Sequence, residues 1–315
     1  MNGSSRPCIV SADAAGIARA AQVLRSGGLV ALPTETVYGL AARADSDEAV
    51  AAIYRAKGRP DFNPLIVHVA NLDRARVLAY LDERAEKLAQ VFWPGALTLV
   101  LPKRTDAGLA AAVTAGLPTV ALRCPAHPVM RAVLAETGLP LAAPSANRSG
   151  AVSPTRAGHA ASSLAGRIDL VLDGGASSAG IESTIVALRE GGRWQVLRPG
   201  PIDEARISAV LGSESDVTTP GSVEAPGQLA SHYAPGKPVR LGAEDARPDE
   251  FHIGFGAVEG DASLSPSGDL AEAAARLYAL LHEASAAVEP RIAVAPIPRD
   301  GIGAAINDRL RRAAA

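Results

Sequence analysis

The sequence predicts an α/β protein made of two domains joined by a linker. Stretches with helical periodicity alternate with short apolar runs over the first two thirds of the chain, which is typical of a layered α/β domain. The alternation stops in a segment rich in Ser, Thr, Gly and Pro, and then resumes. With 315 residues, the chain is about twice as long as a typical domain. The predicted units are a first domain over 1–211, a linker over 212–237 and a small second α/β domain over 238–315.

Apolar periodicity and capping residues predict the elements of the first domain in order. A helix is expected over 11–26 with Ser11 as its N-cap, and a second helix after Asp45 or Ser46, ended by Gly58. Further helices are expected around 82–92 and 128–137. Apolar runs predict strands, and the glycine turn at 190–192 predicts an antiparallel hairpin, hence a mixed sheet. The expected strands cover 29–32, 65–69, 97–101, 120–122, 139–143, 168–172, 184–188 and 194–197.

The second domain repeats the pattern on a smaller scale. Strands are expected over 239–241, 251–255 and 292–295. Asp269 is the predicted N-cap of a helix that turns Leu270, Leu277 and Leu281 inward, and a final helix is expected from Gly301. We therefore expect a second, smaller core.

Charge and composition make several function classes poor candidates. Lys and Arg total 31 against 33 for Asp and Glu, so a formal charge of -2 provides no global attraction for nucleic acids or membranes. Aromatic residues are only 3% of the chain, too few for the stacking surfaces of single-strand binders. Cys8 and Cys124 are isolated, which excludes a zinc module or a disulfide framework within the chain. No apolar run resembles a signal peptide or a membrane span, so we expect a cytoplasmic protein without membrane contact.

Polar residues gather at the ends of predicted strands, where open α/β sheets bind ligands. The four clusters lie at 33–40, at 57–68, at 142–154, and at 182–184 together with 198–200. The first, third and fourth clusters, taken alone, are also explained as ordinary turns with capping residues. The clusters therefore predict a binding edge only in combination.

The second cluster contains two adjacent cations. Pro60 disfavours a helical conformation at Arg59, so Lys57 and Arg59 are predicted to point the same way on an extended stretch. A phosphate between them would remove their repulsion, and a salt-bridge network with Asp61 or Glu35 would do so equally well. The Gly-rich phosphate loops GxxxxGK[ST] and GxGxxG do not occur here.

The joint occurrence of these clusters in one order resembles the YrdC-like threonylcarbamoyl-AMP synthases. The linker segment 231–235 and the segments 264–266 and 304–309 resemble the two-domain form of that family. The resemblance in the first domain is carried by the strings Pro-Thr-Glu-Thr-Val-Tyr-Gly-Leu (33–40), Lys-Gly-Arg-Pro (57–60), Asn-Pro-Leu-Ile-Val-His (63–68), Trp-Pro-Gly (93–95), Ala-Pro-Ser-Ala-Asn (143–147), Glu-Ser-Thr-Ile (182–185) and Arg-Pro-Gly (198–200).

The resemblance implies a fold, a reaction and partners. The fold would be a twisted mixed sheet flanked by helices, followed by the linker and a small Rossmann-like domain. The reaction would convert L-threonine, bicarbonate or CO₂, and ATP with Mg²⁺ into threonylcarbamoyl-AMP and pyrophosphate. A separate tRNA threonylcarbamoyl transferase complex would use the product for N6-threonylcarbamoyladenosine in tRNA. The second domain would position the linker, or contact tRNA or the downstream enzyme, and Arg309, Arg311 and Arg312 could equally be a solvated helix end.

The resemblance also implies two sets of site residues, and no acidic metal-binding motif is visible in the sequence. Residues 231–235 are expected to cover the site, because carbamates and acyl adenylates decompose in water. The expected ATP-binding residues are Lys57, Arg59, Asn63, Thr119, Ser145, Asn147, Ser153, Arg198 and the linker residue Tyr233. The expected L-threonine-binding residues are Thr36, His68, Ala143, Ser183 and Arg123, with Arg123 as partner of the carboxylate.

Two other functions remain open at this level. A carbamoyltransferase that starts from carbamoyl phosphate would use a similar domain, although its hydrogenase-maturation form needs cysteine-rich zinc modules that this chain lacks. An RNA-binding module would use the same concave polar surface, without support from charge or aromatic content.

Overall fold

The structure is a computed structural model that describes residues 7–216, 224–227 and 232–315. Its described part contains one ten-stranded mixed sheet and one four-stranded parallel sheet. The strands of the first sheet are β1 (Cys8–Ser11), β2 (Val30–Leu32), β3 (Gly39–Arg43), β4 (Ile66–His68), β5 (Leu97–Pro102), β6 (Thr119–Arg123), β7 (Leu141–Ala142), β8 (Leu170–Asp173), β9 (Thr184–Leu188) and β10 (Trp194–Arg198). The helices around it are α1 (Ala14–Arg25), α2 (Asp47–Lys57), α3 (Leu72–Leu78), α4 (Glu83–Phe92), α5 (Pro128–Thr137), α6 (Ala157–Ser163) and α7 (Glu204–Leu211).

The strand order of the first sheet brings distant segments to its centre. The order is β1-β8-β2-β3-β7-β4-β6-β5-β9-β10, and β9 and β10 form the predicted antiparallel hairpin. Strand β4 runs parallel to β6, so that His68 lies beside Arg123. On its other side β4 is antiparallel to β7. The predicted mixed sheet flanked by helices is confirmed, and several of the polar clusters meet near its centre.

Local capping explains where α1 and α2 begin and end. The predicted N-cap of α1 is wrong: Asp13, not Ser11, accepts a hydrogen bond from the backbone of Gly16 (2.8 Å). Ser11 instead ends β1, a short edge strand with mostly exposed residues and hence no clear apolar signal. Helix α2 begins after Ser46 and ends at Gly58, whose positive φ of 61° a side chain would disfavour.

The second sheet and two helices share a second hydrophobic cluster, which also includes Val37, Val152 and Ile181 of the first domain. Helix α8 begins after Asp269, which accepts a hydrogen bond from the backbone of Glu272, as predicted. The elements are β11 (Val239–Leu241), β12 (Glu250–Gly254), β13 (Ala262–Ser263), α8 (Leu270–Ala286), β14 (Arg291–Val294) and α9 (Ile302–Ala313). The predicted small α/β domain is therefore present, with its strands parallel in the order β11-β14-β12-β13.

The two parts of the chain are in close contact. The backbone of Gly180 lies against α8, so that a Cβ atom built there would approach the Ala274 carbonyl to 2.4 Å. The described linker residues contain no helix, and Ala234 bridges to Ala151 of the first domain. Ser231 and the segment 228–230 lie outside the described residues. Among the residues that the structure describes, no helix is long and apolar enough to cross a membrane.

Candidate active site

A single pocket gathers most of the predicted site residues. Arg59 and Ser145, which are far apart in sequence, both line it. The linker residues Pro226, Gly227 and His232 line it as well. The predicted residues in its lining are Thr36, Arg59, His68, Arg123, Ala143, Ser145, Ser183, Arg198 and Tyr233.

Lys57 lies directly behind this lining. It is the last residue of α2, and its buried ammonium group donates hydrogen bonds to the carbonyl oxygens of Ser145 (2.6 Å) and Asn147. The predicted extended stretch from Lys57 to Arg59 is therefore wrong, because the helix continues through Lys57 and turns at Gly58. The lysine instead holds the loop that carries Ser145.

The loop after α2 holds Arg59 in place. The Arg59 guanidinium donates to the side-chain oxygen of Asn63 (2.6 Å) and to the carbonyl oxygens of Asn63 (3.1 Å) and Pro64 (2.9 Å). No carboxylate of the described residues lies within salt-bridge distance of Lys57 or Arg59. The alternative of a salt-bridge network with Asp61 or Glu35 is therefore wrong.

Buried positive charge accumulates at this end of the pocket. Burial lowers the pKa of Lys57 well below its usual value, and the charge of Arg59 adds to this effect. Burial also lowers the pKa of Arg59 to about 10, with a contribution in the same direction from Arg198. These cations destabilise one another, which is the electrostatic condition that an anion would relieve.

At the other end of the pocket, Arg123 already has a counter-ion. Its guanidinium donates to Glu35 (2.6 Å), to the Thr36 hydroxyl (2.8 Å) and to the Gly95 carbonyl (3.2 Å). Burial alone would raise the pKa of Glu35, but the charge and hydrogen bond of Arg123 lower it to about 2. Sequence reasoning missed this pair, although Glu35 lies within the first cluster.

His68 is a neutral polar group next to this pair. Burial lowers the pKa of His68 to about 3, and the neighbouring Arg123 charge contributes. Its Nδ1 atom is buried and has no hydrogen-bond partner among the described residues. Because a buried polar atom without a partner is costly, this nitrogen is a candidate ligand contact.

Ser183, which directly precedes β9, connects β5 and β10 through its hydroxyl. Its hydroxyl shares a hydrogen bond with Thr98 of β5 (2.7 Å) and accepts one from Arg198 of β10 (3.1 Å). Arg198 also donates to the Pro226 carbonyl of the linker (3.4 Å). Gly227 has a φ of 87°, and a Cβ atom there would come within 2.7 Å of the Arg198 side chain. The linker backbone therefore packs closely on Arg198.

The remaining predicted residues stay outside the pocket lining. Asn63 binds Arg59 as described, and Asn147 donates to the carbonyl oxygens of Arg148 and Ala151 (both 2.8 Å). Ser153 is buried and donates to Glu182 (2.6 Å). Thr119 begins β6, two residues before the Ala121–Ile66 pair, and is partly exposed. The structure does not bring Thr119 into the pocket.

Sequence reasoning also missed lining residues that belong to the recognised motifs. Thr34 accepts hydrogen bonds from the backbone of Thr36 and Val37 (3.2 Å each) and thereby shapes the first cluster. Glu182 precedes the predicted Ser183 and also lines the pocket. The motif strings contained both residues, but only the fold shows that they are at the site.

Comparisons with known proteins identify the family of this chain. The family model Sua5/YciO/YrdC, described as "Telomere recombination", matches residues 22–200. The chain belongs to this family. A second model, "Threonylcarbamoyl-AMP synthase, C-terminal domain", matches residues 202–315.

Individual members of the Sua5/YciO/YrdC family show similarity over both parts of the chain. The threonylcarbamoyl-AMP synthase of Bacillus subtilis is 48% identical over 71% of this chain and 66% of its own length. The enzyme of the same name from Pyrococcus abyssi is 38% identical over 93% of this chain and 92% of its own length. A crystal structure of P. abyssi Sua5 complexed with L-threonine superposes with a TM-score of 0.89 at 35% identity, and covers 98% of this chain and 97% of that one.

Proposed function

We propose that the protein is an ATP-dependent L-threonylcarbamoyladenylate synthase, a nucleotidyltransferase. Its substrates would be L-threonine, bicarbonate or CO₂, and ATP, and its products threonylcarbamoyl-AMP and pyrophosphate. The names of its relatives and the threonine complex of the Pyrococcus protein support this proposal.

One observation of the site supports it most strongly. A single pocket joins a cationic end, formed by Arg59 and Arg198 with Lys57 behind them, to a charge-balanced end, where His68 and Arg123 line the pocket and Glu35 pairs with Arg123. The first end is suited to phosphates and the second to a zwitterionic amino acid. Two substrates of these chemical classes would therefore meet in one cavity.

The proposed chemistry requires little covalent participation by the protein. The threonine amine attacks the carbon of CO₂, loses a proton and forms a carbamate. A carbamate oxygen then attacks the α-phosphorus of ATP, and the bond to the β-phosphate oxygen breaks to release pyrophosphate. Because burial and the charge of Arg123 lower the pKa of His68 to about 3, this side chain is neutral, and its unpartnered Nδ1 is available to accept a hydrogen bond from the threonine amine. Holding the reactants in line contributes up to about 7–11 kcal/mol in favourable cases.

Magnesium enters this proposal as part of the Mg·ATP substrate. Among the described residues, no group of three or more His, Cys, Asp or Glu side chains could hold a metal ion. The carboxylate of Glu182, which lines the pocket, already accepts hydrogen bonds at both oxygens. We therefore place Mg²⁺ on the phosphates rather than in a protein cage.

The product would serve tRNA modification. We propose that the protein works in the cytoplasm and passes threonylcarbamoyl-AMP to a tRNA threonylcarbamoyl transferase complex, with at most a weak tRNA contact of its own. The lack of net positive charge and the low aromatic content support a small-molecule enzyme over an RNA-binding module.

Pyrophosphate release from the purified protein tests the proposed reaction. With ATP, Mg²⁺ and bicarbonate, release should depend on L-threonine. Arg59→Ala should raise the KM for ATP roughly ten- to a hundredfold, the equivalent of one lost charge-assisted hydrogen bond. Arg55→Ala, which removes an exposed arginine from the same stretch, is the matched control and should have no effect. Release that is independent of threonine, or an Arg59→Ala variant equal to this control, would contradict the proposal.

A further inference from the structure

A buried ion pair joins the second domain to the wall of the pocket. Arg309 of α9 is fully buried, and its Nε donates a hydrogen bond to Oε2 of Glu182 (3.0 Å). The hydroxyl of Tyr278 on α8 donates to the same oxygen (2.9 Å), while Ser153 donates to the other one (2.6 Å). The alternative of a solvated helix end is therefore wrong for Arg309, although Arg311 is exposed.

Overall stability alone is a poor explanation for this arrangement. Desolvating two charges costs about as much as their attraction returns, and an apolar pair of similar size often stabilises a core as well or better. The surroundings are apolar, since Ile181, Leu277 and Leu281 belong to the hydrophobic cluster around it. A charged network at such a place fixes the geometry of the groups that it joins.

The groups joined here belong to the pocket. Glu182 lines it and directly precedes Ser183, which accepts the hydrogen bond from Arg198. The guanidinium of Arg309 also lies 5.6 Å from the ring centre of Tyr233, and the ring of Tyr278 lies 5.4 Å from it. Tyr233 is buried with a φ of 65°, a conformation that a non-glycine residue adopts only when its surroundings hold it.

We infer that Arg309 and Tyr278 are positioning residues that act through Glu182 and Tyr233. They hold the nucleotide-facing wall of the pocket from the second domain, so that the catalytic pocket is complete only when this domain is docked. This inference rests on the proposed function, and it assigns the second domain a structural part in nucleotide binding.

The pKa of Glu182 provides a readout that distinguishes a positioning role of Arg309 from a contribution to folding alone. Burial raises the pKa of Glu182, but Arg309 and Arg198 overcome this effect and lower it to about 2. Removal of Arg309 takes away a charge that lowers the pKa of Glu182, while burial still raises it, so this pKa should rise. The other titratable groups that face this carboxylate or its partner are Tyr278 on α8, Asp308 on α9, and His232 and Tyr233 of the linker.

The test compares full-length variants by steady-state kinetics from pH 5 to 9 and by thermal unfolding. Tyr278→Phe keeps the ring and removes one hydrogen bond to a charged group, and it should raise the KM for ATP about tenfold. Arg309→Met should raise the KM for ATP further. It should also weaken nucleotide binding at the acidic end of the pH range, where Glu182 with its raised pKa becomes protonated. Arg309→Lys, which retains the charge, should recover the pH profile in part. Arg311→Met, an exposed change on the same helix, is the control and should resemble the unaltered protein.

The double variant Glu182→Gln/Arg309→Met separates positioning from stability. Removal of both charges should restore the thermal midpoint above that of Arg309→Met while the KM for ATP stays raised. A KM and pH profile equal to the Arg311→Met control in Tyr278→Phe and Arg309→Met would overturn the inference. If the unaltered protein lacks threonine-dependent pyrophosphate release, the proposed function fails and not the inference. The inference is then tested by measuring the ATP affinity of the same variants by calorimetry.

Discussion

At the scale of single residues, counter-ions decide how the pocket is divided. Glu35 neutralises Arg123, whereas Arg59 and Arg198 have no carboxylate of the described residues within salt-bridge distance, and Glu182, which also interacts with Arg198, is paired with Arg309. The two ends of the pocket therefore differ in net charge, although both contain arginine. The role of Arg123 as partner of the threonine carboxylate stays a prediction. A carboxylate bound to Arg123 would lie close to Glu35, which already pairs with this arginine.

The lowered pKa of Glu35 predicts a contribution to acid stability. Because its folded pKa of about 2 lies below the usual 4.5, the contribution is fully present above pH 4.5 and is lost as the pH falls toward 2. Glu35→Gln should therefore flatten the pH dependence of the unfolding free energy in this window by about 3 kcal/mol. Denaturant unfolding at several pH values measures this. Glu182 titrates in the same range and should leave a residual slope; an unchanged slope in the variant would contradict the assignment.

The sequence could predict individual site residues but not their pairing. The motif strings pointed to Arg59, Ser145 and Arg198, which the pocket does bring together. The pair of Glu35 and Arg123 spans 88 positions, and no local spacing rule connects such residues. Only the register of the central strands, which is a property of the whole sheet, sets these contacts.

At the scale of elements, the turns after the strands carry the site, and their backbones are closely packed. Gly200 follows β10, and a Cβ atom there would lie 2.3 Å from the amide nitrogen of Thr184 and 2.7 Å from the Glu182 carbonyl. The two polar segments of the fourth cluster are thus in backbone contact. This contact links the end of one hairpin strand to the start of the other.

Gly200→Ala should therefore disturb the site through the backbone. We expect a loss of about 1–3 kcal/mol in unfolding free energy and a raised KM for ATP, because the segment with Ser183 must move. Gly158→Ala is the matched control, since no described atom lies within 4 Å of its added Cβ and alanine favours the helix. Thermal unfolding and ATP kinetics compare the two variants. Equal behaviour of both would contradict the proposed close packing at Gly200.

Elements with a strong local signal could be predicted, and those without one could not. The apolar runs gave β5 and the hairpin of β9 and β10, and Asp269 marked the start of α8. Strand β3 was not expected, because its small residues Gly39, Ala41 and Ala42 have no β-sheet preference of their own. Neighbouring strands on both sides impose its conformation.

At the scale of the whole molecule, positive electrostatic potential comes from the buried cations of the pocket and not from the net charge. The net charge of -2 gives no long-range attraction for anions, so the proposed binding of phosphates would depend on the few buried cations at the pocket. The second domain contributes Arg309 and Tyr278 to the same region, and the described part of the linker packs against Arg198. Catalytic domain, linker and second domain therefore share one site. The domain boundaries at 211 and 237 stay predictions.

A structure of the protein with L-threonine and a non-hydrolysable ATP analogue tests the central claim most directly. The account predicts that the phosphates accept hydrogen bonds from Arg59 and Arg198, with threonine at the end of the same pocket beside His68. A nucleotide bound elsewhere, for example in the groove between α6 and α8, or a threonine in a separate cavity, would contradict it.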